Sequence, residues 1–163
     1  MSMIHINNPS TKSNLTVTLD EKCIQPNAVD LPVKDVFKID GGIVDLSNKV
    51  HAKRTKVEPI DGVYTLEGGK YDVVFATDVE IAEGEAGFLI QRSSLNRNGT
   101  TLSSGLYDSG YKNLVGGCLH VPDNITLKFN EGERLAQLLM FKAETVGMYT
   151  GGYNQSAPTD EVA

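Results

Sequence analysis

Residues 86–111 read AGFLIQRSSLNRNGTTLSSGLYDSGY, and most of the side chains able to do chemistry lie there. Arg92, Ser93 and Ser94 place a cation, two hydroxyls and successive backbone N–H groups in one short loop. That is the donor set a chain of phosphates requires. Asp108 follows on a strand near a glycine, with Tyr111 shortly after it. A carboxylate in such a hairpin can hold a water, and an aromatic beside it can pack against a sugar ring. Gln137 interrupts the apolar run 135–141, which a ligand would explain and a solvent-facing strand position explains as well. Asp108-Ser109-Gly110 is also an ordinary turn signal, and any polar turn can contain Arg-Ser-Ser.

Strands have to position these groups. Residues 70–81, KYDVVFATDVEI, alternate apolar and polar side chains in part and are rich in β-branched residues. Residues 87–91, 114–121, 125–129 and 134–141 read similarly, and Gly, Pro, Asn and Asp clusters at 61–62, 67–69 and 122–124 punctuate them. One helical turn is expected at 93–97, and no longer helical periodicity is present. Many short strands with frequent turn signals indicate an all-β sandwich or barrel. The 163-residue length suits one domain over 1–149, followed by a small, polar tail over 150–163 that is expected to be mobile without a ligand.

A net charge of −6 argues against a nucleic-acid polymer or an anionic membrane as the main partner, though a few local cations can still hold a nucleotide. Cys23 and Cys118 are too few and too far apart for a disulfide scaffold or zinc knuckle, so two buried free thiols are expected. No stretch reads as a signal peptide or membrane span, and a reducing, cytoplasmic setting is the simplest expectation. His5, His51 and His120 offer no metal or triad pattern.

Taken in order, Ala28-Val29-Asp30-Leu31, the Arg92 loop, the Asp108 hairpin and GERLAQLLMF at 132–141 resemble the dUTPase/dCTP deaminase superfamily over residues 24–141. The resemblance implies a distorted jelly roll that forms a homotrimer, with active sites built from neighbouring subunits. It implies magnesium, Mg2+, bound to the substrate phosphates, with Asp30 positioning its water shell. A turn residue at a strand end is the alternative reading of Asp30. Arg92, Ser93, Ser94 and Gln137 would hold the phosphates with help from Arg97, and Gly105 would line the substrate site. Asp108 would orient and deprotonate the attacking water, and Tyr111 would pack on the deoxyribose where an added hydroxyl would clash. Tyr153 would stack on the base. The implied reaction is hydrolysis of a deoxynucleoside triphosphate, dUTP to dUMP and pyrophosphate, by in-line attack on the α-phosphorus.

Two other functions share these residues. The run 24–31 and the spacing of Arg92 and Arg97 around two serines lean towards the dCTP deaminase branch, alone or as a bifunctional enzyme. Deamination there needs a glutamate at the base. Without gaps that position is Cys118, and no acid lies between Asp108 and Asp123. A thiol replaces a carboxylate poorly, which favours hydrolysis. A non-catalytic trimer binding nucleotide or protein is the third reading, and retention of Asp108 and the Arg-Ser-Ser loop weighs against it. The chain departs from the usual dUTPase pattern in an arginine-free tail after Lys142, in Leu102 on the hairpin, and in Asn113 where the family carries glycine.

Overall fold

Alternation of apolar and polar side chains sets the architecture. The computed structural model describes residues 2–154, so most of the expected tail, 155–163, lies outside the described residues. In chain order the elements are β1 (Ser2–Ile4), β2 (Asn14–Leu15), β3 (Val29–Gly41), β4 (Lys53–Val57), β5 (Val63–Leu66), β6 (Gly69–Glu80), β7 (Glu85–Gln91), α1 (Ser93–Arg97), β8 (Thr101–Ser103), β9 (Lys112–Val121), β10 (Leu127–Asn130) and β11 (Arg134–Lys142), with short 3-10 turns at Glu21–Cys23 and Gly152–Asn154. The strands read from the sequence are present to within a few residues at each end, and the single helical turn at 93–97 is α1. Among the described residues no helix is long and apolar enough to cross a membrane.

The main sheet runs β1-β11-β7-β8-β9-β6-β3-β4, and β11 also pairs with β3. That extra pairing closes β3, β11, β7, β8, β9 and β6 into a ring. Closure satisfies strand edges that an open sheet would expose. β1 and β4 remain as outer strands, and β5 pairs with β10 as a separate ladder whose Tyr64 and Phe129 rings stack at 5.1 Å. Along β6 every second side chain from Tyr71 to Val79 is buried, and with Ile81 they face Leu31, Val36, Val115, Leu119, Leu138 and Met140 in one core.

Local sequence explains the irregularities. Pro32 lies inside β3 and has no N–H to donate, and the β3–β11 register shifts opposite it, between Arg134 and Ala136. Asp61 and Gly62 both take positive φ, 50° and 75°, closing the tight link between Ile60 and Val63. β8 covers β9 only from Cys118 to His120. One step beyond its end, the Tyr107 hydroxyl donates to the Gly116 carbonyl at 2.7 Å and accepts from its N–H at 2.9 Å. Burial pushes that phenol up to about 12, so it remains a donor at neutral pH.

A buried carboxylate ties the N-terminal segment to the barrel. Glu85 at the start of β7 is 4% exposed and accepts from the N–H groups of Lys12 and Ser13, both at 2.9 Å, and from the Ser13 hydroxyl. Burial raises its pKa, but these donors outweigh burial and leave it below the ordinary value of 4.5. Its stabilising effect is therefore complete above about pH 5 and is lost as pH falls through the depressed pKa. The Glu85→Gln variant should lose about 2 kcal/mol of stability at neutral pH. Denaturant titrations across the acid range should show the gap to the native protein narrowing below the ordinary carboxyl pKa.

Candidate functional site

The groups expected to hold phosphate converge on one buried carboxylate. Asp30, the second residue of β3, is 1% exposed. Its Oδ2 accepts from Gln25 Nε2 at 3.1 Å and Arg134 Nη1 at 3.2 Å and forms an ion pair with Arg92 Nε at 3.2 Å, while Oδ1 accepts from Gln137 Nε2 at 3.1 Å. The strand position excludes the turn-residue reading. Gln137 reaches Asp30 because β11 pairs with β3 in direct register at those two residues. Arg92 reaches it from the cap position of α1, held by its own N–H on the Leu135 carbonyl at 3.0 Å and by Nη1 on the Arg134 carbonyl at 3.1 Å. Sequence spacing alone could not reveal Gln25 and Arg134, since each meets Asp30 only through the fold.

From this cluster a groove of about 710 Å³ opens between α1 and the β10–β11 link, lined by Arg92, Ser94, Asn98, Lys128, Glu133 and Arg134 among others. Ser93, Ser94 and Arg97 are exposed on α1. Arg92 Nη2 makes no hydrogen bond among the described residues, so Asp30 fixes one edge of the guanidinium and leaves the other for a ligand. The expected magnesium shell at Asp30 does not fit this arrangement. The carboxylate oxygens are taken by two guanidiniums and two amide N–H groups, which present protons there and bring no oxygen ligand to a cation. Among the described residues no cluster of three His, Cys, Asp or Glu side chains could hold a metal.

Asp108 lies elsewhere. It is exposed and sits in a turn closed by the Tyr111 N–H on its carbonyl at 3.0 Å, one residue after the isolated bridge between Gly87 and Tyr107. The expected strand position is thus corrected to a turn. β8 ends at Ser103 and β9 begins at Lys112, so the intervening chain has no continuous partner. The turn is firmly held. Ser109, 5% exposed, donates its hydroxyl to the Glu85 carbonyl at 2.7 Å, and Gly110 N–H donates to the Ile81 carbonyl at 2.8 Å. Asp108 shares its cleft with Leu106, Val146, Met148 and Tyr149. Within one chain it neighbours neither Arg92 nor Asp30.

A third cavity, of about 540 Å³, brings Gly105, Tyr111 and Tyr153 together with Ser103, Tyr107 and Tyr149. Tyr111 lies in ring contact with Tyr107 at 4.9 Å and Tyr149 at 5.7 Å, and its hydroxyl donates to the Leu114 carbonyl at 2.6 Å. Burial pushes its phenol well above the ordinary range. The first residues of the expected tail dock beside it: Asn113 Nδ2 donates to the Tyr153 carbonyl, and Asn154 bonds the Lys112 N–H at 2.8 Å and the Gly110 carbonyl at 2.9 Å.

This cavity also holds a carboxylate that reading along the chain misses. Cys118 pairs directly with Asp72 across β6 and β9, and both line the cavity. Asp72 Oδ2 accepts from Arg54 Nη1 at 2.6 Å. Burial pushes Asp72 above the usual carboxylate range, with Arg54 opposing the shift, and burial likewise raises the Cys118 thiol. A search for acids near Cys118 in sequence cannot find Asp72, because strand pairing rather than spacing joins them. Cys23 is buried and Cys118 only half-buried, and both are free thiols.

Known proteins share this sequence and fold. A profile of the dCTP deaminase-like family matches residues 6–143. The chain is 34% identical over 137 residues to the probable deoxyuridine 5'-triphosphate nucleotidohydrolase of Halobacterium salinarum, spanning 80% of this chain and 82% of that one. It is 35% identical over 150 residues to the deoxyuridine 5'-triphosphate nucleotidohydrolase of Methanocaldococcus jannaschii, spanning 88% and 95%. Among solved structures, a 2'-deoxycytidine 5'-triphosphate deaminase from Agrobacterium tumefaciens superposes with a TM-score of 0.62 at 15% identity over 81% of this chain. The match spans only 42% of that deaminase. A dUTPase mutant from phage phi11 of S. aureus superposes with a TM-score of 0.52 at 17% identity, covering 86% of this chain and 96% of that one. At these identities the two structures show a common fold.

Removing the acceptor at the centre of the Asp30 cluster leaves two partly buried guanidiniums without their shared anion. Asp30→Ala should cost about 3 kcal/mol in chemical denaturation. A loss under about 1 kcal/mol would mean that solvent takes over the carboxylate's role.

Proposed function

The chain belongs to the dCTP deaminase-like family, and we propose that it acts there as a dUTP nucleotidohydrolase, converting dUTP and water to dUMP and pyrophosphate. The observation that carries this reading is the 35% identity to a relative of that name over 88% of this chain. The site chemistry supports it. Arg92, oriented by Asp30, and Ser94 line a groove suited to a phosphate chain, with Ser93 and Arg97 nearby on α1 and Gln137 bonded to the far oxygen of Asp30. The aromatic cavity at Gly105, Tyr111 and Tyr153 suits a deoxynucleoside, with the Tyr111 ring against the sugar and Tyr153 near the base.

In the reaction, Asp108 accepts a proton from a water as its oxygen attacks the α-phosphorus, and the bond to the bridging oxygen breaks to release pyrophosphate. Charge growing on the phosphoryl oxygens is met by Arg92 and the Ser93 and Ser94 hydroxyls. Magnesium enters as part of the triphosphate substrate, in keeping with the absence of a fitting resident site at Asp30. Asp30 is a positioning residue for Arg92.

Within one chain Asp108 stands apart from the Arg92 groove, so a complete site takes residues from more than one copy. Leu106, Val146 and Met148, exposed at 55%, 110% and 49%, surround Asp108 and supply an apolar surface for such contact. The assembly proposed is a homotrimer with shared sites. Light scattering on active protein at micromolar concentration should return three times the chain mass, and a monomer mass would remove the shared-site arrangement.

One observation favours dCTP deamination as a second reading: Asp72 provides a carboxylate beside Cys118, which the sequence alone lacked. Assays of pyrophosphate and ammonia release from each deoxynucleoside triphosphate separate the two reactions. Pyrophosphate from dUTP is expected, and ammonia from dCTP at a comparable rate would reverse the order. Asp108→Asn should lower turnover about a hundred- to ten-thousand-fold while nucleotide binding persists. Wild-type turnover in that variant would make Asp108 a turn residue without a chemical role.

A further inference from the structure

Asp72 lines the aromatic cavity, and Arg54 holds it there through Oδ2. Tyr107, Tyr111, Tyr149 and Tyr153 supply flat apolar faces, while the β9 side is formed by Gly116, Gly117 and the small Cys118. Both glycines are needed there: a Cβ on Gly116 would lie 2.8 Å from the Val73 carbonyl oxygen, and one on Gly117 2.7 Å from that of Ser103. Their lack of side chains lets β6 and β8 close tightly on β9, so this wall of the cavity is flat backbone. The Tyr107 hydroxyl spends its proton on the Gly116 carbonyl and also accepts from the Gly116 N–H. The Tyr111 hydroxyl is spent on Leu114. Asp72 Oδ1, by contrast, accepts no hydrogen bond among the described residues, while Oδ2 is fixed by Arg54.

A flat slot with one oriented carboxylate oxygen matches a heterocycle that presents a ring N–H. Uracil carries a proton on N3, whereas cytosine has a lone pair there, which a carboxylate repels. Resting on the nucleotide reading of this cavity, we infer that Asp72, held by Arg54, is the base-discriminating residue, whose Oδ1 accepts the uracil N3–H and disfavours cytosine. The ion pair keeps the carboxylate in its accepting form and stops it from rotating away.

Calorimetric titration of the full-length protein with dUMP and dCMP tests the assignment alongside pyrophosphate release from dUTP. The native protein should bind dUMP at least about ten-fold more tightly than dCMP. Asp72→Asn, whose amide can face either base, should bring the two affinities within about three-fold of each other. Asp72→Glu keeps the charge and can keep the Arg54 contact but displaces the oxygen, and should lose the preference with little change in the melting temperature of the free protein. Native dUMP preference in both variants, whatever their melting temperatures, would make the pair a clasp between β4 and β6 and overturn the assignment. A protein that releases no pyrophosphate yet prefers dUMP through Asp72 would refute the hydrolytic reading and uphold the cavity assignment.

Discussion

A carboxylate that is almost wholly removed from water has to be surrounded by donors, and at Asp30 that requirement organises much of the molecule. An unpaired buried anion would be strongly destabilising, so the fold must bring Gln25, Arg92 and the β11 pair Arg134 and Gln137 to it from three separate places in the chain. Meeting the requirement sets the β3–β11 register that closes the ring of strands. It also seats the start of α1 and turns one edge of Arg92 inward. The free edge of Arg92 then faces the groove as a consequence of packing. Structural and chemical demands on these residues are therefore the same demand, and a substitution that relaxes one disturbs the other.

A second network plays the corresponding part for the Asp108 turn. Glu85 clamps the N-terminal segment through its side chain, and its backbone carbonyl receives the buried Ser109 hydroxyl. The Tyr149 N–H donates to the Ser109 carbonyl at 2.7 Å, which brings the C-terminal segment onto the same turn. An exposed carboxylate with few contacts of its own thus acquires a fixed direction from its neighbours. Preorganisation of this kind suits the role proposed for Asp108.

Legibility in the sequence followed the range of the interactions. Strands with clean alternation, such as 70–81, and the one-turn helix at 93–97 were readable because their signals are local. The long strand β3 was less so: Pro32 cannot donate, Asp35 breaks the alternation where the register shifts between Val33 and Asp35, and pairing on both sides overrides that weakness. Asp108 reads as a strand residue from its neighbours, yet β8 stops too early to pair with it. Motif order identified Arg92, Asp30 and Gln137 without showing that they touch. Asp72 was invisible, since nothing near it in the chain suggests chemistry and only the register of β6 with β9 sets it against Cys118. Asn113 read as a departure from a family glycine. In the fold its side chain bonds the Tyr153 carbonyl and secures the segment that carries that ring.

Among the described residues, closing six strands into a ring leaves short outer strands at the two ends of the main sheet. One is β1, three residues long; the other is β4, whose sequence KRTKV carries three cations in five residues. Bringing a second copy of β4 alongside the first would oppose like charges at several rungs, and short strands give a docking chain few hydrogen bonds in return. The same barrel that shapes the aromatic cavity therefore guards against fibrous growth. A protein that exposes apolar side chains around Asp108 can then direct its self-association towards a closed, finite assembly instead of an open-ended one.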